Sequence, residues 1–140
     1  MRRLIPLGVE RMAQYEDLIV DQGSDVEIKL ELFNPDGSPK ILNKFDDATQ
    51  TLTPMFSSTA KIKKSFNTKD SDSISFGTST ISPTNAENEL YLSLTNTITD
   101  AMKAGRYVYD VEISATDSFG VTTIERILEG KLTVSPSVTK

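Results

Sequence analysis

The sequence predicts an all-β protein: an antiparallel sandwich of about seven strands, with one short helical turn late in the chain. Three observations carry this. Val26-Glu27-Ile28-Lys29-Leu30-Glu31-Leu32-Phe33 and Gly105-Arg106-Tyr107-Val108-Tyr109-Asp110-Val111-Glu112-Ile113 alternate with a period of two, the mark of a strand with one buried face. Turn residues recur between such runs at the spacing of a sandwich. A chain of 140 residues is long enough to close one hydrophobic core.

Composition narrows the chemistry. The net charge of −5 and a pI near 4.7 argue against nucleic acid as a partner, which needs a basic face. There is no cysteine and no histidine. That removes disulfides, thiolate ligands, the commonest metal ligand and the usual general base near neutral pH. Tryptophan, the most useful ring for stacking on sugars, is also missing. No segment has the length of a membrane span.

Met1-Arg2-Arg3-Leu4-Ile5-Pro6-Leu7-Gly8-Val9 has a basic start and a short apolar run, broken by Pro6 and ended by Glu10-Arg11. It lacks the small-residue cleavage site of a signal peptide. Two readings stand. Residues 1–14 form an arm that docks on a neighbour, or the first eleven residues precede a start at Met12. In the first reading Arg2, Arg3, Leu4, Ile5, Leu7, Val9 and Arg11 are the partner-binding residues. Pro6 and Gly8 oppose a regular helix there, so the arm is expected to be extended.

The domain proper is expected to span residues 15–136. Tyr15-Glu16-Asp17-Leu18-Ile19-Val20 is a short apolar run closed by the turn residues Asp21-Gln22-Gly23-Ser24. Val26 to Phe33 follows with Val26, Ile28, Leu30 and Leu32 inward; as a helix it would set Glu27 and Glu31 on one face with no apolar stripe opposite. Asn34-Pro35-Asp36-Gly37-Ser38-Pro39 reverses the chain and lacks the spaced oxygen ligands of a calcium loop. Residues 40–58 show no sustained period and are expected to be an irregular crossing. In Thr59-Ala60-Lys61-Ile62-Lys63-Lys64-Ser65-Phe66, Ala60, Ile62 and Phe66 should face inward. The lysines are expected to form a solvated face or a protected edge rather than a polyphosphate site.

Asp70 and Asp72 lie on a serine-rich loop and read as solubilising rather than cation-binding. Residues 77–89 read as a surface loop. Glu89-Leu90-Tyr91-Leu92-Ser93-Leu94 is a strand with its leucines inward. A helical turn over residues 98–104 should be capped by Asn96, Thr97 or Thr99 and stopped by Gly105. The strand after it carries Tyr107, Tyr109, Val111 and Ile113 on one face. Its Gly-x-Tyr start resembles the tyrosine corner of immunoglobulin-like sandwiches, whose hydroxyl bonds back to upstream backbone. Tyr109 stands where antibody domains place a cysteine, so its ring is expected to fill the core. Ala115-Thr116-Asp117-Ser118-Phe119-Gly120 reads as a hairpin with Gly120 left-handed. In the last strand Ile124, Leu128, Leu132 and Val134 share a register, and Glu129-Gly130 is the expected bulge. Residues 137–140 form a tail.

Several blocks carry a resemblance. Met12-Ala13-Gln14-Tyr15-Glu16-Asp17-Leu18-Ile19-Val20-Asp21-Gln22-Gly23, Thr59-Ala60-Lys61-Ile62-Lys63-Lys64-Ser65, Leu92-Ser93-Leu94-Thr95-Asn96, the Gly105–Ile113 strand and Glu129-Gly130-Lys131-Leu132-Thr133-Val134-Ser135-Pro136-Ser137-Val138-Thr139-Lys140 resemble small virion structural proteins of contractile-tailed phages, cyanophages in particular. The order of elements is similar to the N-terminal immunoglobulin-like sandwich of phage baseplate upper proteins. The likeness covers most of residues 12–140. Lys140 departs from a family expected to end in arginine, and residues 1–11 lie outside the likeness. The resemblance implies a non-enzymatic role in a tail, baseplate or neck. Its partners would be other virion proteins, in multiple copies per particle, and its location the virion. It supplies no catalytic residue.

Two readings compete with tail, baseplate or neck assembly: a capsid decoration protein, and a carbohydrate-binding adhesion module using Tyr91 and Tyr109. An enzyme is not expected, since no motif sets a nucleophile beside a base. Asp46-Asp47 are adjacent and point apart, unlike a glycosidase pair. No cofactor, metal, membrane or small-molecule site is read.

Overall fold

The computed structural model describes residues 6–7, 10–11, 14–34, 36–80 and 86–138. Its strands are β1 (Pro6–Leu7), β2 (Glu10–Arg11), β3 (Gln14–Tyr15), β4 (Leu18–Asp21), β5 (Val26–Glu31), β6 (Asn43–Asp46), β7 (Thr51–Pro54), β8 (Ser57–Lys63), β9 (Ile74–Ser75), β10 (Gly77–Ser79), β11 (Glu89–Leu94), β12 (Gly105–Thr116) and β13 (Thr122–Ser135), with one helix, α1 (Asn96–Ala101), between β11 and β12. The larger sheet runs β9-β8-β12-β13, with β3 and β4 both along the far side of β13. The smaller sheet runs β10-β11-β5. Their inward residues form one core, so the chain is an all-β sandwich as the alternation predicts.

The inward phase is the expected one. Tyr107, Tyr109, Val111 and Ile113 of β12, Ile62 of β8, and Leu90, Leu92 and Leu94 of β11 are buried. Leu30 and Leu32 join them, while Val26 and Ile28 are half-buried and pack on the same cluster. Phe76 meets Tyr109 edge-to-face, with centroids 6.2 Å apart, a favoured geometry for two rings.

The tyrosine corner is present. The Tyr107 hydroxyl donates to the Lys103 carbonyl at 2.8 Å. Lys64 Nζ lies 4.4 Å from the centre of the same ring, which adds a cation–π contact. Tyr109 fills the core and also ties the chain together, because its hydroxyl donates to the Glu16 carbonyl at 2.7 Å. Glu16 N–H in turn donates to the Glu129 carbonyl at 2.8 Å. This peptide passes directly over Gly130, the cross-strand partner of Tyr109. A Cβ on Gly130 would sit 1.9 Å from the Glu16 oxygen.

Several local expectations are corrected. β3 and β4 pair with β13 in parallel, unlike the other strand pairs of the two sheets. The bulge lies at Ile127, where the register slips between Val111↔Leu128 and Glu112↔Arg126, and not at Glu129-Gly130. A bulge lets two neighbours face the same way, so Ile127 and Leu128 are both buried. The same slip turns Ile124 out to solvent. Phe66 also faces solvent, because β8 ends at Lys63 and the chain turns there, Thr68 N–H donating to the Ser65 carbonyl.

Residues 40–58 hold the hairpin β6–β7. Its turn uses Asp46 as acceptor for the Ala48 N–H and puts Gln50 at φ 55°. Part of the expected 77–89 loop is β10, paired with β11; residues 81–85 lie outside the described residues. The helix starts earlier than expected. Thr95 caps it, accepting from Ile98 N–H at 3.4 Å, and it ends at Ala101 instead of running to Gly105. Gly105 opens β12 with φ 136°. The tail is partly tied down, since Ser137 N–H donates to Gln22 Oε1; residues 139–140 lie outside the described residues.

Tyr107→Phe should lower stability by about 1 kcal/mol, the net worth of one buried hydrogen bond; urea unfolding measures it, and an unchanged midpoint would mean a solvated hydroxyl. Gly130→Ala should cost about 1–3 kcal/mol, as overpacking does where a neighbour cannot yield. Here the neighbour is backbone, and the amides of residues 14–18 should lose hydrogen-exchange protection in the same variant.

Candidate functional site

The outward phase of the larger sheet builds a groove of about 410 Å³. Alternation turns Lys61 and Lys63 of β8 and Asp110 and Glu112 of β12 to this face, and β13 adds Arg126 and Glu129. Lys61, Asp110 and Glu129 stand side by side across three strands, as do Thr59, Glu112 and Arg126. Arg126 reaches Asp110 at 3.4 Å and Glu129 at 3.7 Å. Lys63 Nζ pairs with Asp70 Oδ1 at 2.6 Å. The Lys63 hydrogen bond, aided by the Lys61 and Lys63 charges, holds the Asp70 carboxyl below its ordinary pKa.

This arrangement sets Asp110 and Glu129 against Arg126 and Asp70 against Lys63. It suits recognition of a mixed-charge surface, since side chains of both signs line the groove. Asp70 and Asp72 belong to the short helical turn Asp70–Asp72, with Asp70 held by Lys63. Among the described residues no group of three or more acidic side chains is placed to hold a metal. Asp46 ends β6 and Asp47 begins the turn, both exposed.

Of the partner-binding residues expected in the arm, Arg2, Arg3, Leu4, Ile5 and Val9 lie outside the described residues. Leu7 and Arg11 fall in a short hairpin, with Pro6↔Arg11 and Leu7↔Glu10 paired antiparallel. That backbone is a reversal, whereas a fully extended arm was expected.

Three surface features were missed by the sequence reading. Phe119 and Val121 stand exposed around the β12–β13 turn, with Ile124 close by on β13. The Arg126 ladder was hidden by the bulge at Ile127, since counting by twos from Leu132 gives no warning of an extra residue. The third is an open side of the sandwich. β4 pairs only with β13 and β5 only with β11 among the described residues, and the turn at 22–25 joins their free edges. Alternation reveals strands and not their neighbours, so no signal could have shown this.

Tyr91 and Tyr109, the two rings considered for carbohydrate, are both engaged. Tyr109 is buried, and the half-buried Tyr91 donates its hydroxyl to Glu89 Oε1 at 2.7 Å. No described helix is long and apolar enough to cross a membrane. The chain matches no protein-family model and no curated protein sequence.

The Asp70–Lys63 pair gives a pH test. A depressed carboxyl pKa stabilises the fold above the unfolded-state pKa, and that contribution is lost as pH falls through the folded-state value. Carbon-detected NMR titration should place Asp70 below the ordinary aspartate range, and Lys63→Gln should move it upward. An Asp70 titration that Lys63→Gln leaves in place would mean the pair is not formed in solution.

Proposed function

We propose that the chain is a non-enzymatic structural component of a tailed-phage virion, in its tail, baseplate or neck, working through contacts with other virion proteins. One observation carries the reading. Four of the five blocks that resemble small virion proteins fall on one sheet, and the fifth, 92–96, lies on β11 and the start of α1. Those at 12–23, 59–65, 105–113 and 129–140 contain β3, β4, most of β8, the inner part of β12 and the end of β13, which are neighbours in one sheet. A resemblance that follows neighbouring strands, including the Gly130 crossing and the Tyr107 corner, supports kinship at the level of the fold.

The surface chemistry agrees. Among the described residues the outer edges of β4 and β5 have no partner strand, and such edges accept partner strands by main-chain hydrogen bonds. The charged groove pairs Asp70, Asp110 and Glu129 with Lys63 and Arg126. Capsid decoration is the neighbouring reading within the same class. Adhesion to glycans is weaker, because one candidate ring is buried and the other is hydrogen-bonded.

Mass spectrometry of purified particles tests the proposal, and absence of the chain from them would end it. Deleting residues 1–11 should leave the thermal midpoint of the isolated protein almost unchanged while lowering its copy number in particles. Wild-type incorporation of the truncated protein would remove the arm from the assembly role.

A further inference from the structure

β5 is a six-residue strand with a partner on one side only among the described residues. The core is thinly covered beside it. Leu30 and Val20 are buried, but Leu18, Val26 and Ile28, nearer the opening, are half-buried. An added strand along β5 would complete both the hydrogen-bond ladder and the apolar cover.

The rim is acidic. Residues 15–31 carry Glu16, Asp17, Asp21, Asp25, Glu27 and Glu31 against Lys29 alone. The matching charge lies in the same chain. Residues 1–11 carry Arg2, Arg3 and Arg11 against Glu10 alone. In extended form Arg3, Ile5, Leu7 and Val9 share one phase, so Ile5, Leu7 and Val9 would continue the apolar face of Val26 and Ile28. Pro6 falls on the other phase, and an outermost strand tolerates its missing N–H.

We propose that the β5 edge receives the N-terminal arm of a second copy of this chain as an added strand. A second copy is favoured over the chain's own arm by direction. β3 enters parallel to β13, so an extended continuation upstream of Gln14 leads toward the Thr122 end of β13, away from the opening between β4 and β5. The β1–β2 pairing has two residues on each side, and so short a hairpin opens at small cost. The inference rests on the reading of the chain as an assembly component, and it names the partner and the contact.

The absence of cysteine makes a clean crosslinking test of the full-length protein. One preparation carries Leu4→Cys and the other Glu27→Cys; they are mixed and treated with a short bis-maleimide, which tolerates a small register error. A covalent dimer should appear, fade at high salt as screened charges require, and disappear when Arg2→Glu and Arg3→Glu are added to the arm. A control pair, Leu4→Cys with Asp47→Cys, should give none. No dimer, or equal dimer from the control pair, overturns the proposal. So does a Leu4→Cys/Glu27→Cys double variant that crosslinks only within one chain, which would place the arm on its own β5. The crosslink can fail while the chain is still found in particles, and it can succeed while the chain is absent from them, so the two readings fail separately.

Discussion

The structure turns on the place where the Glu16 peptide crosses Gly130. Its N–H is held by the Glu129 carbonyl and its carbonyl by the Tyr109 hydroxyl, while the missing side chain of Gly130 leaves the space it occupies. Here the incoming strand shifts from the β3 pairing at Leu128–Glu129 to the β4 pairing at Leu132–Ser135. The residues between them do not continue the ladder. The Glu16 carbonyl accepts from the Tyr109 hydroxyl, and the exposed Asp17 accepts from Lys131 N–H at 3.4 Å. Without that carbonyl Tyr109 would lose a hydrogen bond worth about 1 kcal/mol net. A ring that fills the centre of the sheet, a glycine opposite it and a carbonyl threaded between them therefore depend on one another.

Much of the fold was legible because β5, β8, β11 and β12 each bury one face, and their alternation shows it directly. The Tyr107 corner was legible for a different reason: a small local motif of glycine and tyrosine determines where the hydroxyl can reach. Reading by twos fails where the ladder carries an extra residue. Ile127 and Leu128 are both inside, so the phase before the bulge is inverted and Ile124, apparently a core residue, is exposed. It fails again for β6 and β7, whose four-residue length is too short to establish a period, and where the adjacent Leu42 and Asn43 are both buried. The placement of Gly130 beneath Glu16 could not have been read, since the two are far apart in sequence. Glycine at 130 was noticed, but its usual meaning in a strand suggested a bulge rather than a close backbone approach.

The charged groove shows the same limit from the outward side. Lys61, Lys63, Asp110 and Glu112 were visible as polar phases of single strands, and which charge meets which depended on register. Arg126 bridges Asp110 and Glu129 only because the bulge resets β13 at this point. Exposed pairs of this kind contribute little to stability, about 0–1 kcal/mol each. Their effect is to give the outer face of the larger sheet a fixed, nearly balanced pattern of charge.

The two sides of the sandwich handle their edges differently. On one side the chain turns the corner in sequence, β9 pairing with β8 and β10 with β11, with Phe76 buried between them and its N–H on the Ala60 carbonyl. Among the described residues the free edges left there are two and three residues long, too short to template another chain. On the other side β4 and β5 end their sheets with four and six residues, and shortness does not protect them. The protection is electrostatic. Two such edges meeting face to face would bring Asp21, Asp25, Glu27 and Glu31 of one copy against the same residues of the next, and opposed like charges destabilise cross-strand pairing. An edge guarded in this way rejects its own kind and admits a basic strand. On the proposed strand addition, the acidic run from Glu16 to Glu31 would act as a filter on which chains can add to the sheet.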